Sequence, residues 1–118
     1  HLPPYPVMSI HSSSTVFFNA QTGTTVTETS ATKIMERTRV EFGDFQLDWS
    51  VTGTSTITVK LQGRLTPTLP WATVKTWTQA ELSNTGGTLI DRIPVYPEMR
   101  ATAIQGQTGD SFTMVSVG

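Results

Sequence analysis

Apolar and polar residues alternate most regularly between Phe45 and Gln62, FQLDWSVTGTSTITVKLQ. Phe45, Leu47, Trp49 and Val51 fall on one face, and Gln46, Asp48 and Ser50 on the other. After Thr52-Gly53-Thr54 the alternation resumes, with Ile57, Val59 and Leu61 inward and Thr56, Thr58 and Lys60 outward. A period of two residues is the signature of half-buried antiparallel strands. The two runs meet at a Gly-bearing turn, so the pattern predicts a β-hairpin at the centre of an all-β domain.

The flanking segments extend that reading. Pro3, Pro4 and Pro6 remove backbone donors, so residues 1–11 read as an extended Pro-rich arm. Residues 12–118 read as one β-sandwich domain. Thr15 to Phe18 is a first strand, and Thr24 to Thr29, rich in Thr and poor in apolar residues, is an edge strand. Ser30 to Thr38 (SATKIMERT) holds the helix formers and allows at most one helical turn, a crossover or strand being equally open. Arg39 to Phe42 alternates again, and Gly43 suggests a bulge or bend before the central run.

Beyond the central run, GRLTPTLP at 63–70 reads as a loop and WATVKTWT at 71–78 as a strand. Residues 79–88 form a second loop with Asn84-Thr85-Gly86-Gly87 at its tip. Pro94-Val95-Tyr96-Pro97 is a corner, because two prolines do not suit a central strand. EMRATAIQ and SFTMVSV, joined through GQTGD, are the closing strands and are expected to pair as a hairpin. About eight short strands at this spacing predict an antiparallel β-sandwich of jelly-roll-like layout. Its expected core is Phe17, Phe45, Leu47, Trp49, Ile57, Val59, Leu61, Val74, Trp77, Met99, Ala101, Phe112 and Met114.

A chain of 118 residues fits one domain with a single core. Thr, Val, Ile and the aromatics outnumber the good helix formers, which agrees with strands. Charged residues make up 14%, and the net charge is -1, so no electrostatic footprint for nucleic acid or an anionic membrane exists. The absence of cysteine removes disulfides and thiolate metal sites. No apolar run approaches the roughly 20 residues of a membrane-spanning helix. A signal-peptide pattern is missing too, and His1 reads as a processed terminus or, more simply, a tag remnant.

From Phe42 onward, FGDFQLDWSVTGTSTITVKLQGRL, PWATVKTWT and YPEMRATAIQGQTGDSFTMVSVG follow one another in a layout that resembles small β-sandwich virion proteins of tailed bacteriophages, the accessory domains of heads, necks and fibres. The resemblance covers about the last two thirds of the chain. It implies a non-enzymatic structural protein, a homo-oligomer with a trimer favoured, on a capsid or tail surface and in contact with other virion subunits such as the capsid protein. It transfers no catalytic, cofactor or metal residues. A carbohydrate-binding or adhesin module is the alternative, since such sandwiches share the alternation.

Candidate chemistry adds little. His1 and His11 together suggest a copper brace of the kind in lytic polysaccharide monooxygenases. One further His across a Pro-rich arm is thin support, and a tag remnant with a surface His is the simpler reading. Asp44 and Asp48 share a strand face about 13 Å apart, at about 3.3 Å per residue. Glycoside hydrolysis needs roughly 5 to 9.5 Å, so they read as solvated charges. Glu98 with Arg100 and Asp91 with Arg92 read as surface ion pairs or register devices. Trp49 and Trp77 sit in alternating strands and read as core, whereas Trp71 follows Pro70 out of a loop. Trp71, Tyr96 and Arg100 are therefore the candidate contacts for a glycan or a protein partner.

Low surface charge and strands that read as edges favour closed association, and the arm is suited to lying across a neighbour. Deleting Leu2 to Ile10 is expected to weaken oligomerisation or attachment while leaving the sandwich folded. Light scattering and circular dichroism on the truncated chain check both halves of this, and unchanged assembly counts against it.

Overall fold

A computed structural model describes residues 14–22, 27–36, 40–53, 56–82, 85–104 and 110–117. The arm at 1–11, both histidines and most of the GQTGD segment lie outside the described residues. The strands are β1 Ser14–Thr22, β2 Thr27–Thr29, β3 Lys33–Ile34, β4 Glu41–Ser50, β5 Thr58–Arg64, β6 Ala72–Trp77, β7 Gly86–Val95, β8 Glu98–Ile104 and β9 Ser111–Val117. They form two antiparallel sheets that face each other as a β-sandwich. One sheet runs β1-β9-β4-β7, and the other β2-β8-β5-β6 with β3 also on β8. We call them sheet A and sheet B.

Each half of the central run is a strand, but the halves do not pair. β4 lies between β7 and β9 in sheet A, whereas β5 lies between β6 and β8 in sheet B. The connection from Val51 to Ile57 is an arch that crosses between the layers, with Gly53 at φ 81°. Alternation records only which side of a strand is apolar. Two strands satisfy it equally by lying side by side or by facing each other across the core. The expected closing hairpin fails for the same reason, because β8 belongs to sheet B and β9 to sheet A.

Other outcomes are local. For the 30–38 segment, where a helical turn, a crossover and a strand are all open to the sequence, residues 33–34 form a two-residue strand on β8. Gly43 stays in regular register with Ile93 and makes no bulge. Gly86 and Gly87 open β7 and are not a loop tip. Gly87 is opposite Trp49, and a Cβ there would come within 2.7 Å of Trp49 Cζ2, so the indole occupies the space a side chain would fill. The expected corner at Pro94-Val95-Tyr96-Pro97 is shorter in the structure: Pro94 and Val95 belong to β7, an edge strand that tolerates proline, and the chain turns into the other sheet only at Tyr96-Pro97.

The core sits between the sheets. Phe45, Leu47, Phe112 and Met114 of sheet A meet Val59, Leu61, Trp77, Met99 and Ala101 of sheet B, all fully buried. Burying each large apolar side chain contributes about 1.5 to 3 kcal/mol. A bulge in β1 sets two residues against Met114, between the pairs Val16↔Val115 and Phe18↔Met114. Phe17 and Phe18 are consequently both buried, packing on Phe45 at 5.9 Å and Phe112 at 5.7 Å between ring centroids. Val74 is only half-buried: the β5–β6 register passes from Leu61↔Lys75 to Gln62↔Thr73 and leaves Val74 as the extra residue.

Leu82, buried though it lies in an expected loop, is held by a turn that begins at Thr78. Thr78 N–H donates to Glu81 Oε1 at 3.0 Å, and Glu81 N–H donates to Thr78 Oγ1 at 3.4 Å. This reciprocal pair is a capping box, legible in the sequence as Thr-x-x-Glu. The Thr78 N–H on the carboxylate is the main cause that lowers the Glu81 pKa, with Lys75 adding to it.

Polar ties close the sandwich. Trp77 Nε1–H donates to Asp91 Oδ2 at 2.6 Å, linking β6 of one sheet to β7 of the other. Asp91 and Arg92 are therefore not partners; adjacent residues of a strand face opposite sides, and Arg92 meets Asp44 instead. At one end, the arch and the approach to β9 are joined by Thr52 N–H, which donates to the buried Asp110 Oδ1 at 3.2 Å, while Val51 N–H donates to Thr85 O at 2.7 Å. Asp110→Ala is expected to cost about 1.5 to 3 kcal/mol, the range for a hydrogen bond to a charged group. Urea unfolding followed by tryptophan fluorescence measures it.

Candidate functional site

The outward side chains of sheet B gather around Trp71. The register places Gln62 opposite Arg100 and Arg64 opposite Glu98, all on the face away from Leu61 and Ala101. Arg64 Nε–H donates to Glu98 Oε1 at 2.9 Å, and its Nη1 donates to Leu69 O at 3.5 Å. These two contacts hold the 65–70 loop against the sheet. The half-buried Trp71 ring returns over the same face, with the Arg64 and Arg100 guanidinium carbons 4.1 and 4.7 Å from its centroid. Both distances are within cation–π range.

The structure brings together two of the three expected contact residues, Trp71 and Arg100. Tyr96 does not join them. Its ring covers Gly63, whose built Cβ would lie 2.8 Å from Tyr96 Cγ, and Gly63 is buried on the core side of β5. Tyr96 is thus a packing residue at the corner between the sheets. Arg64 and Gln62 are the members that sequence reasoning missed, and Glu98 is expected only as a partner of Arg100. The outward parity of Gln62 and Glu98 is legible, but β5 runs on through Arg64, which falls in the expected 63–70 loop, and the β5–β8 pairing joins Arg64 to Glu98 across 34 residues. Glu98 pairs with Arg64, and Arg100 Nε–H donates to Gln62 Oε1 at 2.7 Å, so the expected Glu98–Arg100 pair is replaced by two cross-strand contacts.

The outer face of sheet A is different in kind. One row runs Val16, Val115, Gln46 and Ile90 across all four strands. Val117 and Asp44 flank it with Arg92, and Phe42 lies beyond. Ile90 is 62% exposed and Phe42 57%. An open groove of about 230 Å³ is lined by Asp44, Gln46, Ile90, Val115 and Val117. The carboxylates here do not form a pair: Asp44 Oδ1 lies 3.8 Å from Arg92 Nη1, and Asp48 Oδ1 accepts from Thr88 Oγ1 at 2.7 Å. Among the described residues no group of three His, Cys, Asp or Glu side chains is placed to hold a metal ion.

The Arg64–Glu98 pair is largely shielded, with side-chain exposures of 18% and 11%. Glu98→Ala is expected to lower stability by about 1 to 2 kcal/mol, because Arg64 loses its charged acceptor, and to change the fluorescence of Trp71 as Arg64 shifts. Thermal unfolding and emission spectra of the variant read both effects. No family model, curated protein or solved structure matches the chain.

Proposed function

We propose that this chain is a non-enzymatic structural virion protein, a capsid decoration, cement or fibre-type domain that works by symmetric self-association and by non-covalent attachment to other virion subunits. The observation that carries this reading is the apolar row Val16, Val115, Gln46 and Ile90, with Phe42 and Val117 beside it, outside a sandwich whose core is already filled. Exposed apolar patches on a compact domain mark association surfaces. Asp44 and Arg92 add both signs of charge to the same face, so a second copy of the chain suits it. Edge strand β1 borders that face on one side, and association protects such an edge.

The finer fold reading supports the same class. β1 with β9, β2 with β8, β4 with β7 and β5 with β6 pair in nested order, as a long hairpin folded over on itself would. We read this as a jelly roll, an architecture common to viral capsid and lectin domains. The closed oligomer is expected to be a trimer, on a capsid or tail surface. The second reading, a carbohydrate-binding or adhesin module, is favoured by Trp71 beside Arg100 on the opposite face.

Ile90→Arg is expected to convert the oligomer to a monomer while leaving the fold intact, since Ile90 lies outside the core. Light scattering behind size exclusion gives the mass of both proteins, and circular dichroism checks the fold. A monomeric parent chain, or a variant of unchanged mass, would overturn the assembly reading.

A further inference from the structure

Around Trp71 the outer face of sheet B is polar and cationic, although Ile34 and Ile104 are exposed elsewhere on the same face. The register sets Thr73, Gln62 and Arg100 in one row and Thr76, Lys60, Thr102 and Thr29 in the next. Hydroxyls and an amide therefore surround the cations. Lys60, Arg64 and Arg100 face the same way, and among the paired strand positions on that face the carboxylate is Glu98, which Arg64 already engages.

Arg100 has no carboxylate partner among the described residues. Its Nε is committed to Gln62 and its guanidinium lies by Trp71, so the side chain is held in place before any ligand arrives. Among the described residues the two Arg100 Nη groups have no hydrogen-bond partner, and the residue is partly exposed. A fixed guanidinium fork with a free edge is suited to a planar oxyanion. The half-exposed indole next to it is suited to the face of a sugar ring, and the threonines and the Gln62 amide to its hydroxyls.

We propose that this face of sheet B is a binding site for an acidic carbohydrate, with Arg100 receiving the carboxylate and Trp71 packing on the ring that carries it. The site rests on the carbohydrate-binding reading given above, to which it adds the ligand class, and it stands whether or not the chain self-associates. Lys60 would add a longer-range attraction, screened by salt over about 10 Å at 0.1 M.

The test uses the full chain and calorimetric titration with oligogalacturonate, maltohexaose and sodium sulfate. Saturable binding of oligogalacturonate that weakens with added salt is expected, with neither maltohexaose nor sulfate binding comparably. Arg100→Gln is expected to weaken it at least tenfold, Arg100→Lys by less because the charge stays while the fork is lost, and Trp71→Ala to weaken it as well. Circular dichroism of each variant confirms that it folds. Absence of oligogalacturonate binding, or equal affinity in a folded Arg100→Gln protein, would overturn the site. Equal binding of maltohexaose would remove the role of charge, and equal binding of sulfate would remove the sugar. Light scattering of the same samples reports self-association separately.

Discussion

The structure depends on two apolar faces, one from each sheet, being closed over each other. Phe45, Leu47, Phe112 and Met114 on one side and Val59, Leu61, Met99 and Ala101 on the other have no alternative cover within their own sheets. Neighbouring strands satisfy backbone groups but leave the inner side chains bare; only the opposite layer removes them from water. Most strand-to-strand connections therefore cross between layers. The arch after β4 and the corner at Tyr96-Pro97 are direct expressions of that demand.

Crossing between layers creates a second need, which polar contacts meet. Side chains between sheets slide more easily than strands within one, because apolar contact is not directional. Trp77 to Asp91 joins the two sheets directly, whereas Thr52 to Asp110 ties the connection leaving β4 to the one entering β9, its neighbour in the same sheet. The first bond has direction and fixes how the layers are set against each other. Asp91 also turns a charge toward the inner side of edge strand β7, which discourages further strand addition there.

With the interior complete, the two outer faces are free to differ. Sheet A carries aliphatic residues and Phe42 with a mixture of charges, whereas sheet B carries threonines and cations around Trp71, with Ile34 and Ile104 exposed toward its other strands. The apolar face suits another protein surface and the polar, cationic face a hydrated ligand. Rigid sheets serve both purposes because the inward residues lock the backbone that presents the outward ones. The loop bearing Trp71 is no exception, being held by Arg64 to Leu69 O and Glu98.

Period-two alternation identified twelve of the eighteen buried apolar residues among the described ones, since that property belongs to each strand separately; Phe18, Met35, Leu82, Ile93, Val95 and Ala103 were not among the expected core. Of the expected core only Val74 is half-buried, displaced by a bulge that depends on the partner strand. The corner at Tyr96-Pro97 was equally legible, because proline limits pairing wherever it occurs. Leu82 was legible in principle through Thr78-x-x-Glu81 but lies in a segment without strand character. Partner choice was decided only by the tertiary structure. Facing strands and neighbouring strands bury the same side chains, so nothing local separates an arch from a hairpin. The grouping of Gln62, Arg64, Trp71, Glu98 and Arg100 follows from the β5–β8 pairing, and that pairing arises from the closure of the two layers.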